Sequence, residues 1–138
     1  MAFADKFKLA RMQAGLSQEK LATELDISRR MIANYESGQS LPSGEKLSII
    51  ARYFGVTIDS LISENEEFIA KAFEEGGAKN GREARALVDQ VSAMFAGGVL
   101  SEQDMDAAMR AIQNSYWIAK DEAKKYTPKK YRVAAEQE

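Results

Sequence analysis

The stretch "GLSQEKLATELDISRRMIANYESG", residues 15–38, holds two short runs with helical spacing, separated by a break at "DIS". Ser17 precedes the first run, in which Leu21, Ala22 and Leu25 recur on one face. A serine just ahead of such a run accepts a backbone N–H that would otherwise go unpaired, and so starts a helix. Ser28 does the same for the second run, where Met31, Ile32 and Tyr35 face inward and "SG" at 37–38 ends the helix. Two helices of about eight residues joined by so short a break cannot lie antiparallel, so they must cross steeply.

That crossing is the helix-turn-helix arrangement. In it Ala22 sits where the helices come closest and needs a small side chain. Leu21, Leu25 and Ile27 seal one side, and Ile32 and Tyr35 the other. The turn calls for a residue of positive φ, and Asp26 stands there, a residue that visits the left-handed region more readily than most. With Met31, Ile32 and Tyr35 directed inward, Arg29, Arg30, Ala33 and Asn34 are left on the outward side. Cations in a first turn oppose the helix dipole, so Arg29 and Arg30 need another reason to be there. Arginine can bridge guanine O6 and N7 or pair with phosphate, asparagine can bridge adenine N6 and N7, and a small alanine allows close approach.

Working outward, apolar residues recur at spacings of three and four almost everywhere, which predicts an all-α protein. A first helix is expected from Asp5 to Ala14, with Phe7, Ala10 and Ala14 on one face and Gly15 as its stop. Pro42 and Ser43 open a fourth, carrying Leu47, Ile50, Ala51 and Phe54 and stopping at Gly55. A short fifth includes Ile58, Leu61 and Ile62. Helices this short do not persist alone, so residues 1–62 should form one five-helix bundle.

Residues 63–125 read as a second, helical region. Ser63 and Glu66 make a capping-box pattern for an acidic helix that ends at Gly76 and Gly77. From Gly81 to Ala96 a stripe follows that includes Leu87, Val91, Met94 and Phe95. After "GG" at 97–98, Ser101 caps a long helix with Met105, Met109, Ile112 and Tyr116 on one face. Such a helical hairpin has too little interior to satisfy both stripes, so it must bury them on the first bundle or on another copy of itself, and these eight residues are the expected dimerisation surface. Beyond residue 125 the spacing is lost, which predicts a flexible tail over 126–138; Lys124, Lys125, Lys129, Lys130 and Arg132 could meet a DNA backbone or belong simply to a solvated end.

Composition narrows the chemistry. With no cysteine and no histidine among 138 residues, the chain lacks disulfides, thiolate nucleophiles, zinc-finger ligand sets and imidazole catalysts. No catalytic set, metal site or cofactor is expected. The spacing of Gly76, Gly81 and Arg82 resembles a phosphate loop only faintly, without its Lys-Ser/Thr pair or a preceding strand, and is set aside. No apolar run approaches membrane-spanning length, so the expected compartment is the cytoplasm. Net charge is −2, but residues 1–62 hold eight Lys/Arg against seven Asp/Glu and residues 63–125 eight against twelve. Phosphate would be repelled by that acidic middle, so local placement of charge must decide any nucleic-acid contact.

Residues 4–62 resemble the phage-repressor (Cro/CI, or XRE) type of helix-turn-helix regulator. The resemblance rests on "GLSQEKLA", "IS" before the third helix, "YESGQSLP" after it, then "LSIIARYFGV" and "DSLI". It implies a domain that docks as a dimer on a two-fold symmetric operator, with the third helix in the major groove of double-stranded DNA. Gln18 would then hold a phosphate or an outer base. Arg29, Arg30 and Asn34 would face base edges, and backbone amides around Ser37, Gly38 and Ser40 would meet phosphate. The implied DNA-binding set is Gln18, Ser28, Arg29, Arg30, Ala33, Asn34, Ser37 and Ser40, and Arg11 and Glu36 would form a structural ion pair between first and third helices. The reading is therefore a sequence-specific transcriptional regulator, a homodimeric repressor rather than an enzyme. A second reading is an antitoxin-like or anti-regulator module whose C-terminal helices bind a protein partner.

Overall fold

The computed structural model describes residues 1–125, and these form α1 (Phe3–Gln13), α2 (Gln18–Leu25), α3 (Arg29–Ser37), α4 (Gly44–Phe54), α5 (Ile58–Leu61), α6 (Glu64–Phe95) and α7 (Glu102–Lys125), with no strand among the described residues. The expected tail, with Lys129, Lys130 and Arg132, lies outside them. The chain divides into two units, Met1–Asp89 and Gln90 onward. No helix of the described residues is long and apolar enough to cross a membrane.

The first unit is organised around an aromatic cluster. Phe3 and Phe7, one helical turn apart, are fully buried and stack with their ring centroids 5.4 Å apart. Tyr35 of α3 meets them edge-on at 6.2 and 5.9 Å, and Phe54 of α4 meets Phe7 edge-on at 6.2 Å. Edge-to-face contacts align ring hydrogens with ring faces and add about 0.5–1.5 kcal/mol per pair beyond area burial. Leu21, Ile32 and Ile50 complete this core from α2, α3 and α4. Burial pushes the Tyr35 phenol above its ordinary pKa, so it remains neutral.

Helix α1 begins at Phe3, two residues before the expected start, and Ala14 lies exposed at its end rather than on the inner face. The reason for the early start lies 63 residues downstream, where Glu66 Oε2 accepts the Phe3 N–H at 2.8 Å. No side chain of α1's own N-cap does this. Glu66 also completes the capping box of α6: its Oε1 accepts from Ser63 N at 3.2 Å, and Ser63 Oγ accepts from Glu66 N at 3.1 Å. One carboxylate thus caps two helix N-termini, where the dipoles favour negative charge. Glu66→Ala should cost about 1–2 kcal/mol by orphaning both donors. Thermal unfolding followed by circular dichroism checks this, and an unchanged midpoint would refute the double cap.

Helix α6 is continuous except at Gly77, whose φ of 74° and ψ of −165° are not helical. The stop expected at Gly76 and Gly77 is therefore present, but the second segment resumes directly after it and does not wait for Gly81. Gly81 serves close approach instead, because a Cβ there would lie 2.3 Å from the Phe73 ring. From α6, Phe68, Ile69, Ala70, Ala72, Ala84 and Val88 are buried, so the first unit extends past the five short helices. In the second unit Ser101 Oγ accepts from Asp104 N at 3.1 Å to start α7, and Val91 and Met109 are buried.

Candidate nucleic-acid interface

The face begins with the turn between α2 and α3. Asp26 adopts the left-handed conformation, φ 55° and ψ 46°, and is the one non-glycine residue of the described chain with positive φ. Around it Ile27 N donates to Ala22 O at 3.0 Å and Asp26 N to Thr23 O at 3.3 Å, the paired bonds of a Schellman end. These bonds reverse the chain within one turn, and buried Ala22 allows the close crossing. Ser28 Oγ then accepts from Met31 N at 3.0 Å and fixes where α3 starts.

Helix α3 is held from behind and at its base. Ile32 and Tyr35 are buried, whereas Met31 is only half-buried, with the Lys46 ammonium 3.5 Å from its sulfur. Arg11 grips Glu36 with two bonds, Nε to Oε2 at 2.6 Å and Nη2 to Oε1 at 3.1 Å, and its Nη1 donates to Leu16 O at 2.8 Å. The hydrogen bond to Glu36 is the largest influence on Arg11 and raises its pKa further. Gln18 Nε2 joins this group by donating to Glu36 Oε1 at 3.3 Å, which leaves its second N–H and its carbonyl oxygen for another partner.

Outward, Arg29 and Arg30 are exposed, and neither has a hydrogen bond or ion pair with the described residues. The Asn34 side chain is likewise unpaired, Ala33 is half-buried beside it, and the Ser28 hydroxyl oxygen is committed to its cap. At the far end, Gly38 (φ 80°) closes the helix. The amides of Gly38, Gln39 and Ser40 all converge on Asn34 O, the latter two at 3.0 and 3.4 Å. The backbone donors expected there for phosphate are thus committed to the helix end. What the loop still offers is the hydroxyl of Ser40, because the Ser37 hydroxyl already donates to Asn34 O at 3.2 Å.

Two further cations stand beside this loop. Arg85 Nη1 donates to Gly38 O, and Arg82 lines the same groove as Ser37 and Ser40. Their approach depends on how α6 packs in space, which local spacing does not reveal.

A capped helix crossed through a left-handed turn by a second, with its polar side chains unpaired on the open face, defines a helix-turn-helix protein. The helix-turn-helix family model matches residues 7–61. The chain is 39% identical to an uncharacterized HTH-type transcriptional regulator of Methanocaldococcus jannaschii over 64 residues, which is 46% of this chain and 97% of that protein. It is 25% identical to the immunity repressor protein of Bacillus phage phi105 over an alignment of 140 positions, 96% of each chain. It is 43% identical to the HTH-type transcriptional activator BcrR of Enterococcus faecalis over 75 residues, 54% of this chain but only 36% of that protein's length. No solved structure gives a significant match. The chain belongs to the helix-turn-helix family of the phage-repressor (XRE) type: it is a DNA-binding transcriptional regulator, not an enzyme.

Proposed function

We propose that this regulator is a cytoplasmic repressor that binds a two-fold symmetric operator as a homodimer, with α3 of each copy in the major groove. The observation that carries the reading is the α3 face: Arg29, Arg30 and Asn34 are unpaired on a helix whose start, end and back are all fixed. Rigid presentation of such donors matches base edges at little ordering cost. Gln18 and the Ser40 hydroxyl flank this set as candidates for phosphate contact, while the Ser37 hydroxyl would first have to leave Asn34 O. Repression is favoured because the likeness to the phage immunity repressor runs through 96% of both chains, while that to the activator stops within the first 54% of this one.

Dimerisation is assigned to residues 63–125. Within the hairpin stripes Leu87, Phe95, Met105, Ile112 and Tyr116 are half-buried, Val91 and Met109 are buried, and Met94 is 77% exposed. Val99, Leu100 and Ile118 are exposed as well, an amount of large apolar surface that favours association. Pairing two half-sites makes the second contact intramolecular, which compensates for the low net charge of the DNA-binding domain.

Selecting bound sequences from a random DNA pool tests the reading. The expected product is a palindrome whose half-sites lie about one DNA turn apart, roughly 34 Å; recovery of no palindromic motif would sink it. Sizing the purified chain at micromolar concentration tests the dimer. The same exposed apolar residues support the second reading, a C-terminal surface that captures another protein, and a monomer in that measurement would favour it.

A further inference from the structure

Beside the recognition helix lies a groove of about 650 Å³, lined by Asn34, Ser37 and Ser40 from α3 and its loop and by Phe73, Arg82 and Arg85 from α6. Its charged lining is two guanidinium groups with no carboxylate. We infer that Arg82 and Arg85, which lie outside the 7–61 segment that defines the family, form with the Ser40 hydroxyl a binding edge for a DNA phosphodiester. The inference rests on the DNA-binding reading above and extends its footprint onto α6.

Several independent features lead to this edge. The amides of Gly38, Gln39 and Ser40 all point at Asn34 O, so the loop directs fewer N–H donors outward to a phosphate. Arg85 stands in for them. Its Nη1 donates to Gly38 O and its guanidinium lies 6.0 Å from the Phe73 ring centroid, which aligns the group while the rest of its five-donor fork stays available. Arg82 is exposed and has no hydrogen bond or ion pair with the described residues. A free arginine in a region of eight Lys/Arg against twelve Asp/Glu runs against the local charge balance.

Two glycines bring these arginines to the loop. Gly77, at φ 74° and ψ −165°, turns the helix where a side chain would be strained, and Gly81 lets the Phe73 ring lie against its backbone. The adjoining groove, lined by Arg30, Asn34 and Lys46, also contains Glu74, whose Oε2 accepts from Ser43 Oγ at 2.6 Å. That carboxylate would repel phosphate, so the backbone is directed to the Arg82 side.

The test compares the full-length protein with Arg82→Gln and Arg82→Lys on the selected operator and on an unrelated duplex, across a series of salt concentrations. Arg82→Gln should weaken both DNAs equally, on the order of tenfold, and flatten the slope of log K against log salt by roughly 0.9 per subunit, while Arg82→Lys keeps most of the slope. Arg82 has no protein partner, so the unfolding midpoint should not move. If the parent chain binds the operator and Arg82→Gln changes neither affinity nor slope, the inference alone falls. If the parent binds no DNA, both readings fall together. A loss confined to one sequence would make Arg82 a base reader and overturn the phosphodiester assignment. Inorganic phosphate at constant ionic strength probes the other source of the same chemistry, and stabilisation of the parent but not of Arg82→Gln would assign the edge to a small anion instead.

Discussion

Glu36→Ala is expected to lower the thermal unfolding midpoint by roughly 10–20 °C, the equivalent of about 3 kcal/mol in a unit of this size. The Arg11 and Glu36 side chains are only 13% and 5% exposed, so the solvent screening that weakens surface ion pairs is largely missing. Removing Glu36 leaves the Arg11 guanidinium and one Gln18 N–H without their acceptor, and that uncompensated burial sets the size of the effect. The loss should also loosen Leu16 O, which Arg11 holds at the entry to α2. Arg11→Met combined with Glu36→Leu should recover part of the loss, because no charge is then left unpaired. A group whose pKa is raised on folding contributes stability below its unfolded value and loses it only at higher pH. Arg11 is of this kind, so the pair should persist across the ordinary pH range. A single variant that melts within a couple of degrees of the parent would show the pair to be dispensable.

The opposite signature is expected at Arg29 and Arg30. Each alanine substitution should weaken binding to the selected operator by about 1–3 kcal/mol, roughly five-fold to more than a hundred-fold, if the guanidinium bridges a guanine. Stability should hold or rise slightly, since both side chains are exposed, lack protein partners, and oppose the dipole at the N-terminus of α3. The measurement is a titration of each variant against the operator and single-base variants of it, with thermal unfolding beside it. A base reader loses its preference at one position. Equal loss on every sequence would make that arginine a phosphate contact, and a fall in the unfolding midpoint without lost affinity would remove it from the DNA face.

Legibility in the sequence followed the range of the interactions. Ser17, Ser28 and Ser101 act within three residues of themselves, and each accepts the backbone N–H three positions on. Asp26 was readable for the same reason, since an end of α2 followed so closely by a cap for α3 leaves one place for a left-handed residue. The Arg11–Glu36 pair bridges 25 residues and came from resemblance, not from spacing. The start of α1 was misplaced because Phe3 is held by Glu66, and no local pattern at residues 1–5 encodes an acceptor so far along the chain.

The sequence by itself determined which segments are helical, where most of them start and stop, and which side of α3 carries Arg29, Arg30 and Asn34. Those outcomes depend on bonds and periodicities within a few residues, which the order of side chains specifies directly. Tertiary structure alone decided that the carboxylate of Glu66 caps α1 as well as α6, and that α6 sets Arg82 and Arg85 beside the loop after α3. Each of these depends on packing between residues distant in sequence, where position in space, not spacing along the chain, fixes the partner.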